Sequence, residues 1–77
     1  MPLEIAHTVD AKGLSCPMPI VKTAQAVKSL ASGQLLEVLA TDAGSTKDFA
    51  AWCKTTGNVL VESSVEGGVY RFVLRRK

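Results

Sequence analysis

Residues 10–19 read Asp-Ala-Lys-Gly-Leu-Ser-Cys-Pro-Met-Pro and mark the place where a strand gives way to a helix. Just before them, the side chains of residues 5–10 alternate between two faces, which predicts a short strand with one buried face. Behind the two prolines, apolar residues recur at helical spacing, and proline suits a first helical turn because its missing N–H is not needed there. A helix is therefore predicted over residues 17–32, with Gly33 ending it.

The rest of the chain supplies a second helix and three further strands. Residues 35–41 are almost continuously apolar, which is typical of a central strand covered on much of both faces. A second helix is predicted to follow Ser45 and to end at Gly57, with Phe49, Trp52, Cys53 and Thr56 along one side. Strands are predicted after it over residues 58–66 and 69–75, and a Gly-Gly turn joins them as a hairpin. The order βαβαββ predicts an α/β fold, a two-layer sandwich in which a four-stranded mixed sheet carries two helices on one face.

The order of the elements also predicts where function is found. Both helices begin directly after parallel strands end, so their N-termini share the carboxyl edge of the sheet, where ligands and chemistry gather in such folds. The residues expected at this edge are Asp10, Gly13, Cys16, Asp42, Ser45 and Lys47. Ser45 and Asp48 are also spaced as a capping box for the second helix, with Asp in place of the usual Glu.

Composition argues against several classes of protein. The 77 residues are 47% hydrophobic and 21% charged, which is typical of one globular domain over residues 1–77 that is too small to enclose a large substrate. No apolar run approaches a membrane span and no secretory signal is visible, so no membrane contact is expected. Two cysteines without a CxxC pair predict a reducing, cytoplasmic setting. With a single histidine beside them, no metal site and no cofactor are expected.

Cys16 is the residue with the clearest chemistry. Pro17 fits the first helical position, which makes Cys16 the predicted N-cap, where free backbone N–H groups and the helix dipole favour a thiolate. No histidine or second cysteine stands beside it in the sequence, which argues against thiol protease and thioredoxin chemistry. What remains is attack on a disulfide or persulfide, followed by release to another thiolate. The alternative is a cysteine that only packs at a helix start.

Three other residues are more simply structural. Cys53 and Trp52 lie on the apolar stripe of the second helix, and both are expected to pack in the core. His7 lies among the alternating residues of the first strand and is expected to be half-buried rather than a ligand.

The cysteine and four residues near it form a pattern that resembles a known family. Asp10, Gly13, Cys16, Pro17 and Pro19 match Asp-x-x-Gly-x-x-Cys-Pro-x-Pro, the core signature of the TusA (SirA-like) sulfur-carrier family. The resemblance covers nearly the whole chain. Cys-Pro-x-Pro in a chain of this size and element order is a specific signal, whereas Cys-Pro alone would be weak.

The resemblance implies a mechanism and partners. Cys16 would accept sulfane sulfur as a persulfide from a donor, a cysteine desulfurase or a rhodanese, and pass it to an acceptor protein of the DsrE/TusD type. Such a chain is a sulfurtransferase that acts as a persulfide relay rather than as an enzyme with its own turnover, in tRNA thiolation, cofactor synthesis, sulfur oxidation or selenium metabolism. Leu14, Met18 and Lys47 are the residues expected to face partners, and a shuttling carrier is expected to be a monomer.

A different class of function stays open, that of an RNA-binding or regulatory interaction module without sulfur transfer. The basic residues Arg75, Arg76 and Lys77 would offer contacts to a phosphate backbone. Against this, the formal net charge of +2 is small, and Tyr70 and Phe72 are more simply core residues than a stacking platform. Direct nucleic-acid binding is therefore not expected.

Overall fold

The computed structural model describes residues 4–77, and the first three residues, in which no secretory signal was visible, lie outside the described residues. The elements are β1 (Ile5–Ala11), α1 (Met18–Val27), β2 (Leu35–Ala40), α2 (Ser45–Thr56), β3 (Val59–Glu66) and β4 (Val69–Arg75). This is the predicted order βαβαββ. Neither helix in this part of the chain is long and apolar enough to cross a membrane.

The four strands form one sheet in the order β1-β2-β4-β3. β1 and β2 run parallel, with Val9 beside Val38, as expected of strands joined through a helix. β4 lies antiparallel between β2 and β3, so that Phe72 is opposite Val38 on one side and opposite Ser63 on the other. The predicted mixed sheet is confirmed, and β2 occupies the central position that its apolar sequence predicted.

β2 is covered on one face rather than on much of both. Leu36, Val38 and Ala40 are fully buried, and they alternate with Leu35, Glu37 and Leu39, which are partly exposed. The expectation was wrong because α1 and α2 both contribute to the single cluster that contains the buried set. The opposite face is more open to solvent, although Val73, which lies beside Glu37 on β4, is fully buried, and a glutamate is therefore accommodated in this strand.

The core between the two layers contains a stacked pair of aromatic rings. Phe49 of α2 lies against Phe72 of β4, with ring centroids 4.6 Å apart and ring planes 27° apart. Both rings are fully buried, and such a pair contributes about 0.5–1.5 kcal/mol beyond its area burial. Cys53 is buried one turn further along α2, and Trp52 is partly buried against the same cluster, so the core positions predicted for both are confirmed.

α1 ends at Val27 rather than at residue 32. Beyond Val27 the chain forms a tight turn, in which the N–H of Leu30 donates to the Val27 carbonyl at 3.0 Å, and the Leu30 side chain is buried in the core. Gly33 lies in a separate turn, in which the N–H of Gln34 donates to the Ala31 carbonyl at 3.1 Å. Helical spacing alone therefore predicted too long a helix, since packing of Leu30 decides where it stops.

The hairpin between β3 and β4 turns where the sequence predicted. Gly67 and Gly68 have φ of +56° and +79°, and a type I′ turn needs positive φ at both central positions. The turn therefore places Val69 opposite Glu66 and fixes the register of the two strands.

Candidate functional site

The loop between β1 and α1 is held by hydrogen bonds to a side chain near the end of β1 and to a side chain directly after β2. The N–H of Lys12 donates to Asp10 Oδ1 at 3.0 Å, and the N–H of Gly13 donates to Thr41 Oγ1 at 2.9 Å. Gly13 has φ of +81°, a backbone conformation that residues with a side chain rarely adopt. Asp10 and Gly13 therefore shape the loop that presents the cysteine.

Cys16 lies exposed where this loop meets α1. Its N–H donates to Asp42 Oδ2 at 3.2 Å, and Asp42 belongs to the loop that follows β2. The N–H of Ser45, which begins α2, donates to the Asp42 carbonyl at 3.0 Å, and Lys47 is exposed in the same helical turn. The structure thus brings together, at the carboxyl edge of β1 and β2, the residues that the topology predicted there.

Cys16 is not the N-cap of α1, contrary to the sequence prediction. The N-cap is Pro17, because α1 begins at Met18 and the Pro17 carbonyl accepts the first helical hydrogen bond from the N–H of Val21 at 3.1 Å. Pro19 is buried in the first turn, as the Pro-x-Pro pattern indicated. Cys16 therefore stands one residue outside the cap, and no side chain of the described chain makes a capping hydrogen bond to this helix.

The charges around Cys16 disfavour its thiolate, which reverses the expectation from the helix dipole. The pKa of the Cys16 thiol is raised above its ordinary value, first by a hydrogen bond with the Asp48 carboxyl, then by desolvation and by the negative charges of Asp48 and Asp42. The helix dipole acts within the first helical turn, and Cys16 lies outside that turn. At neutral pH the thiol form is favoured.

Asp42 and Asp48 form what we call the carboxylate pair. The Oδ2 atoms of Asp42 and Asp48 lie 3.6 Å and 3.9 Å from the position that a Cβ on Gly44 would take, so both oxygens flank the same point above the backbone. Sequence analysis placed Asp42 at this edge but missed the action of both carboxylates on Cys16. The available signal was two acidic residues on either side of a helix start at the edge that carries the cysteine.

Ser45 does not cap α2 as the capping-box spacing predicted. The N-cap is Gly44, and Ser45 is the first helical residue. Its Oγ is buried and has no hydrogen-bond partner within residues 4–77. The prediction was wrong because it placed Ser45 one position too early, outside the helix instead of inside it.

An exposed apolar surface lies beside the cysteine. Met18 and Val21 are 44% and 38% exposed, and their spacing of three places them on one side of α1. Of the residues expected to face partners, Met18 and Lys47 are exposed, whereas Leu14 is partly buried and packs against the core. Sequence analysis missed Val21, and its position three residues after Met18 was the signal for it.

The remaining candidates do not join this site. Cys53 is buried in the core, and burial raises the pKa of its thiol. His7 is exposed rather than half-buried, because it lies on β1 at the edge of the sheet, where it lines a shallow cleft with Lys22 and Gln25. Among residues 4–77, no three His, Cys, Asp or Glu side chains come together as a metal ion would require.

Comparison with known proteins adds an independent line of evidence. The family model described as "Sulfurtransferase TusA" matches residues 7–76. The chain is 48% identical to the sulfur carrier protein TusA of Allochromatium vinosum over an aligned region of 68 residues. This region covers 88% of this chain and 90% of that protein. It is 50% identical to the putative sulfur carrier protein YrkI of Bacillus subtilis over an aligned region of 68 residues, and this region covers 88% of this chain and 91% of that protein. The crystal structure of a SirA-like protein from Desulfitobacterium hafniense has the same fold, with a TM-score of 0.79 at 24% identity over 90% of this chain and 95% of that chain.

Proposed function

We propose that this chain, which belongs to the TusA family of sulfur carriers, holds sulfane sulfur as a persulfide on Cys16 and relays it from one protein to another. The observation that carries the proposal is the separation of the two thiols. Cys16 is exposed at the carboxyl edge of the sheet, and Cys53 is buried in the core. A relay needs a thiol that can reach the reactive sulfur of another protein, and Cys16 meets this requirement.

Loading is an exchange between sulfur atoms without net oxidation. The Cys16 thiolate attacks the outer sulfur of a donor persulfide, the bond between the donor's two sulfurs breaks, and the donor leaves as a thiolate. The outer sulfur is then bonded to Cys16 Sγ and keeps the proton it carried. For delivery, an acceptor thiolate attacks that same outer sulfur, and Cys16 leaves as a thiolate that can be loaded again.

Both partners are expected to contact the surface around Cys16. Met18 and Val21 offer exposed apolar side chains there, and Lys47 offers a charge on the neighbouring helix. Apolar surface of this kind favours a protein partner over a small polar substrate, because exposed apolar patches commonly mark interaction sites. We propose a cysteine desulfurase or a rhodanese as donor and a DsrE/TusD-type protein as acceptor. Residues 1–77 would act as one domain, a cytoplasmic monomer without a cofactor.

The RNA-binding alternative is not favoured. A stacking platform would need Tyr70 and Phe72 on an exposed surface. Phe72 is instead fully buried against Phe49, and Tyr70 is partly buried against the core. The small net charge of +2 gives a weak electrostatic attraction to phosphate, so the observations favour the carrier role.

Intact-protein mass spectrometry tests the carrier role directly. The wild type, Cys16→Ser and Cys53→Ser are each incubated with glutathione persulfide and, separately, with a persulfidated cysteine desulfurase. We expect the wild type and Cys53→Ser to gain one sulfur that a reductant removes, because Cys16 is the exposed nucleophile in both. We expect Cys16→Ser to gain none.

Cys53→Ser is the matched control, since it makes the same exchange of sulfur for oxygen at the other cysteine. Circular dichroism spectra establish that each variant is folded. A reversible sulfur gain on Cys16→Ser equal to that of the wild type contradicts the proposal. A wild type that gains no sulfur from either donor also contradicts the proposal, and that result favours the regulatory-module alternative.

A further inference from the structure

We propose that Thr41 and Asp42, the two residues that directly follow β2, are positioning residues for Cys16. Their side chains hold the loop over residues 12–17 in the conformation in which Cys16 exchanges sulfur with a partner protein. The inference deepens the proposed function and rests on it, because it concerns how the carrier thiol is presented. We call these two side chains the β2-end clamp.

The β2-end clamp consists of two hydrogen bonds between residues that are far apart in the sequence. Thr41 Oγ1 accepts the N–H of Gly13 at 2.9 Å, and Asp42 Oδ2 accepts the N–H of Cys16 at 3.2 Å. Both donors are backbone groups of the loop, and both acceptors are side-chain oxygens of adjacent residues in the neighbouring loop. The conformation of the loop that carries Cys16 therefore depends on the residues that follow β2 as well as on its own sequence.

Asp42 also connects Cys16 to the start of α2. Its Oδ1 accepts the N–H of Gly44 at 3.5 Å, and its backbone carbonyl accepts the N–H of Ser45 at 3.0 Å. Ser45 is buried, and α2 packs in the core through Phe49, so the aspartate is attached to a firmly held element. Such support is what a positioned reactive group needs, because a group on a rigid element keeps its geometry.

Packing anchors the loop on either side of the cysteine but not at the cysteine itself. Leu14 is partly buried against the core, and Pro19 is buried in the first turn of α1. Residues 15–18, which lie between these two anchors, are exposed. The hydrogen bond from the N–H of Cys16 to Asp42 fixes the peptide unit that leads into Cys16, and with it the direction in which the cysteine side chain leaves the backbone.

This direction matters for sulfur exchange between two proteins. The attacking thiolate has to reach the outer sulfur of the persulfide from the side opposite the sulfur that leaves. A small reagent can turn to meet the thiol in any conformation of the loop, whereas the reactive sulfur of a docked protein cannot. A loop held in one conformation therefore speeds transfer from a protein donor without changing the reaction with a small reagent. Both hydrogen bonds of the clamp are exposed, so removing one acceptor leaves no buried donor unsatisfied and should affect transfer more than stability.

Thr41→Val tests the clamp, because valine has nearly the shape of threonine but offers no acceptor to Gly13. Two rates are measured in a Cys53→Ser background: sulfur transfer from a persulfidated cysteine desulfurase, followed by intact-protein mass spectrometry, and alkylation of Cys16 by iodoacetamide. We expect Thr41→Val to slow transfer about tenfold, less than the roughly hundredfold that a misplacement of about 1 Å can cost, and to leave alkylation near the wild-type rate. Thr41→Ser keeps the hydroxyl and should keep most of the transfer rate.

Two substitutions of Asp42 separate its hydrogen bond from its charge. Asp42 belongs to the carboxylate pair whose negative charges raise the pKa of the Cys16 thiol, and both Asp42→Ala and Asp42→Asn remove its charge. Asparagine keeps one side-chain oxygen that can accept the N–H of Cys16, whereas alanine keeps none. We therefore expect Asp42→Asn to accept sulfur from the desulfurase faster than Asp42→Ala does.

Thr55→Val is the matched control, since it makes the same change at an exposed threonine in the last turn of α2, at the far end of that helix from Cys16. It should transfer sulfur as fast as the wild type. Equal transfer rates in the wild type and Thr41→Val overturn the clamp, and so does an equal loss in Thr41→Ser. Equal slowing of transfer and alkylation in Thr41→Val also overturns it, because the thiol itself would then be less reactive. If Thr41→Val does not fold, the two Asp42 variants decide, and equal transfer rates in both overturn the clamp.

The clamp and the carrier role fail in different ways. A wild type that the desulfurase loads no faster than it loads Thr41→Val overturns the clamp alone. A wild type that gains sulfur from glutathione persulfide but not from the desulfurase overturns that donor, and with it the role of the clamp in transfer, while the carrier role stands. A wild type that gains no sulfur from either donor overturns the proposed function and the clamp together.

Discussion

Glu37 lies in the middle of an otherwise apolar central strand and is held there by partners on the open face of the sheet. Arg71 on the neighbouring strand donates from Nε to Glu37 and from Nη1 to Glu62, the latter at 2.9 Å. Thr8 Oγ1 donates to Glu37 Oε1 at 3.1 Å. The pKa of the Glu37 carboxyl is lowered, chiefly by the hydrogen bond from Arg71. The folded state therefore favours the charged form of this residue.

Arg71→Met tests this network while keeping an unbranched apolar stem. We expect it to lower the free energy of unfolding at neutral pH by about 0.2–1 kcal/mol, the usual size for a pair that solvent still reaches. Because the folded pKa of Glu37 lies below the unfolded one, its contribution is present above the unfolded pKa and is lost as pH falls through the folded pKa. The difference between wild type and variant should therefore shrink in acid. Urea unfolding at neutral and acidic pH measures it, and a difference independent of pH contradicts the role given to Glu37.

For Cys16, the sequence was enough to predict the position of the residue but not the charges around it. Its neighbours along the chain, Gly13, Pro17 and Pro19, were enough to single it out, because the turn and the helix start are local features. Its charge environment was not predictable in the same way. The carboxyl that acts most strongly on it belongs to Asp48 on the other helix, and only the packed structure brings the two together.

At the scale of the elements, the hairpin turn offers a direct test of backbone strain. No described atom lies within 4 Å of a Cβ added to Gly67 or to Gly68, so a substitution there acts through backbone conformation alone. We expect Gly68→Ala to lower the free energy of unfolding by about 1–2 kcal/mol, since left-handed backbone costs about that much for a residue with a Cβ. Gly67→Asn should be nearly neutral because Asn-Gly is a preferred type I′ pair. Equal losses from both variants in urea unfolding would rule out this assignment of the turn.

The elements that sequence predicted well are those specified by local pattern. The presence of the first strand, the Gly-Gly turn and the end of α2 before Gly57 depend on residues near one another in the chain, and the structure has all three. The end of α1 and the one-sided coverage of β2 depend on tertiary packing. The Leu30 side chain is buried in the core just after α1 ends, and both helices pack on one side of the sheet. The spacing of apolar residues within a single segment does not specify either feature.

At the scale of the whole molecule, the two layers assign different environments to the two thiols. Cys53 is enclosed between α2 and the sheet, and its pKa is raised by burial, so it is protected as long as the layers stay together. Cys16 lies exposed at the edge, so it can react without unfolding of the core. Reactivity at Cys53 therefore reports unfolding, while reactivity at Cys16 reports the site.

Phe49→Leu separates these two properties. Loss of the stacked ring pair should lower the free energy of unfolding by about 1–3 kcal/mol, a common size for a core substitution. Alkylation of Cys53 that proceeds through unfolding should then rise about tenfold for each 1.4 kcal/mol lost, because the unfolded population rises by that factor. Alkylation of Cys16 in the folded protein should stay at the wild-type rate.

Peptide mapping after timed iodoacetamide treatment measures both sites at once. Equal acceleration at both cysteines would mean that the core also sets the reactivity of Cys16, whereas acceleration at Cys53 alone means that the edge loops present Cys16 independently of how tightly the two layers pack.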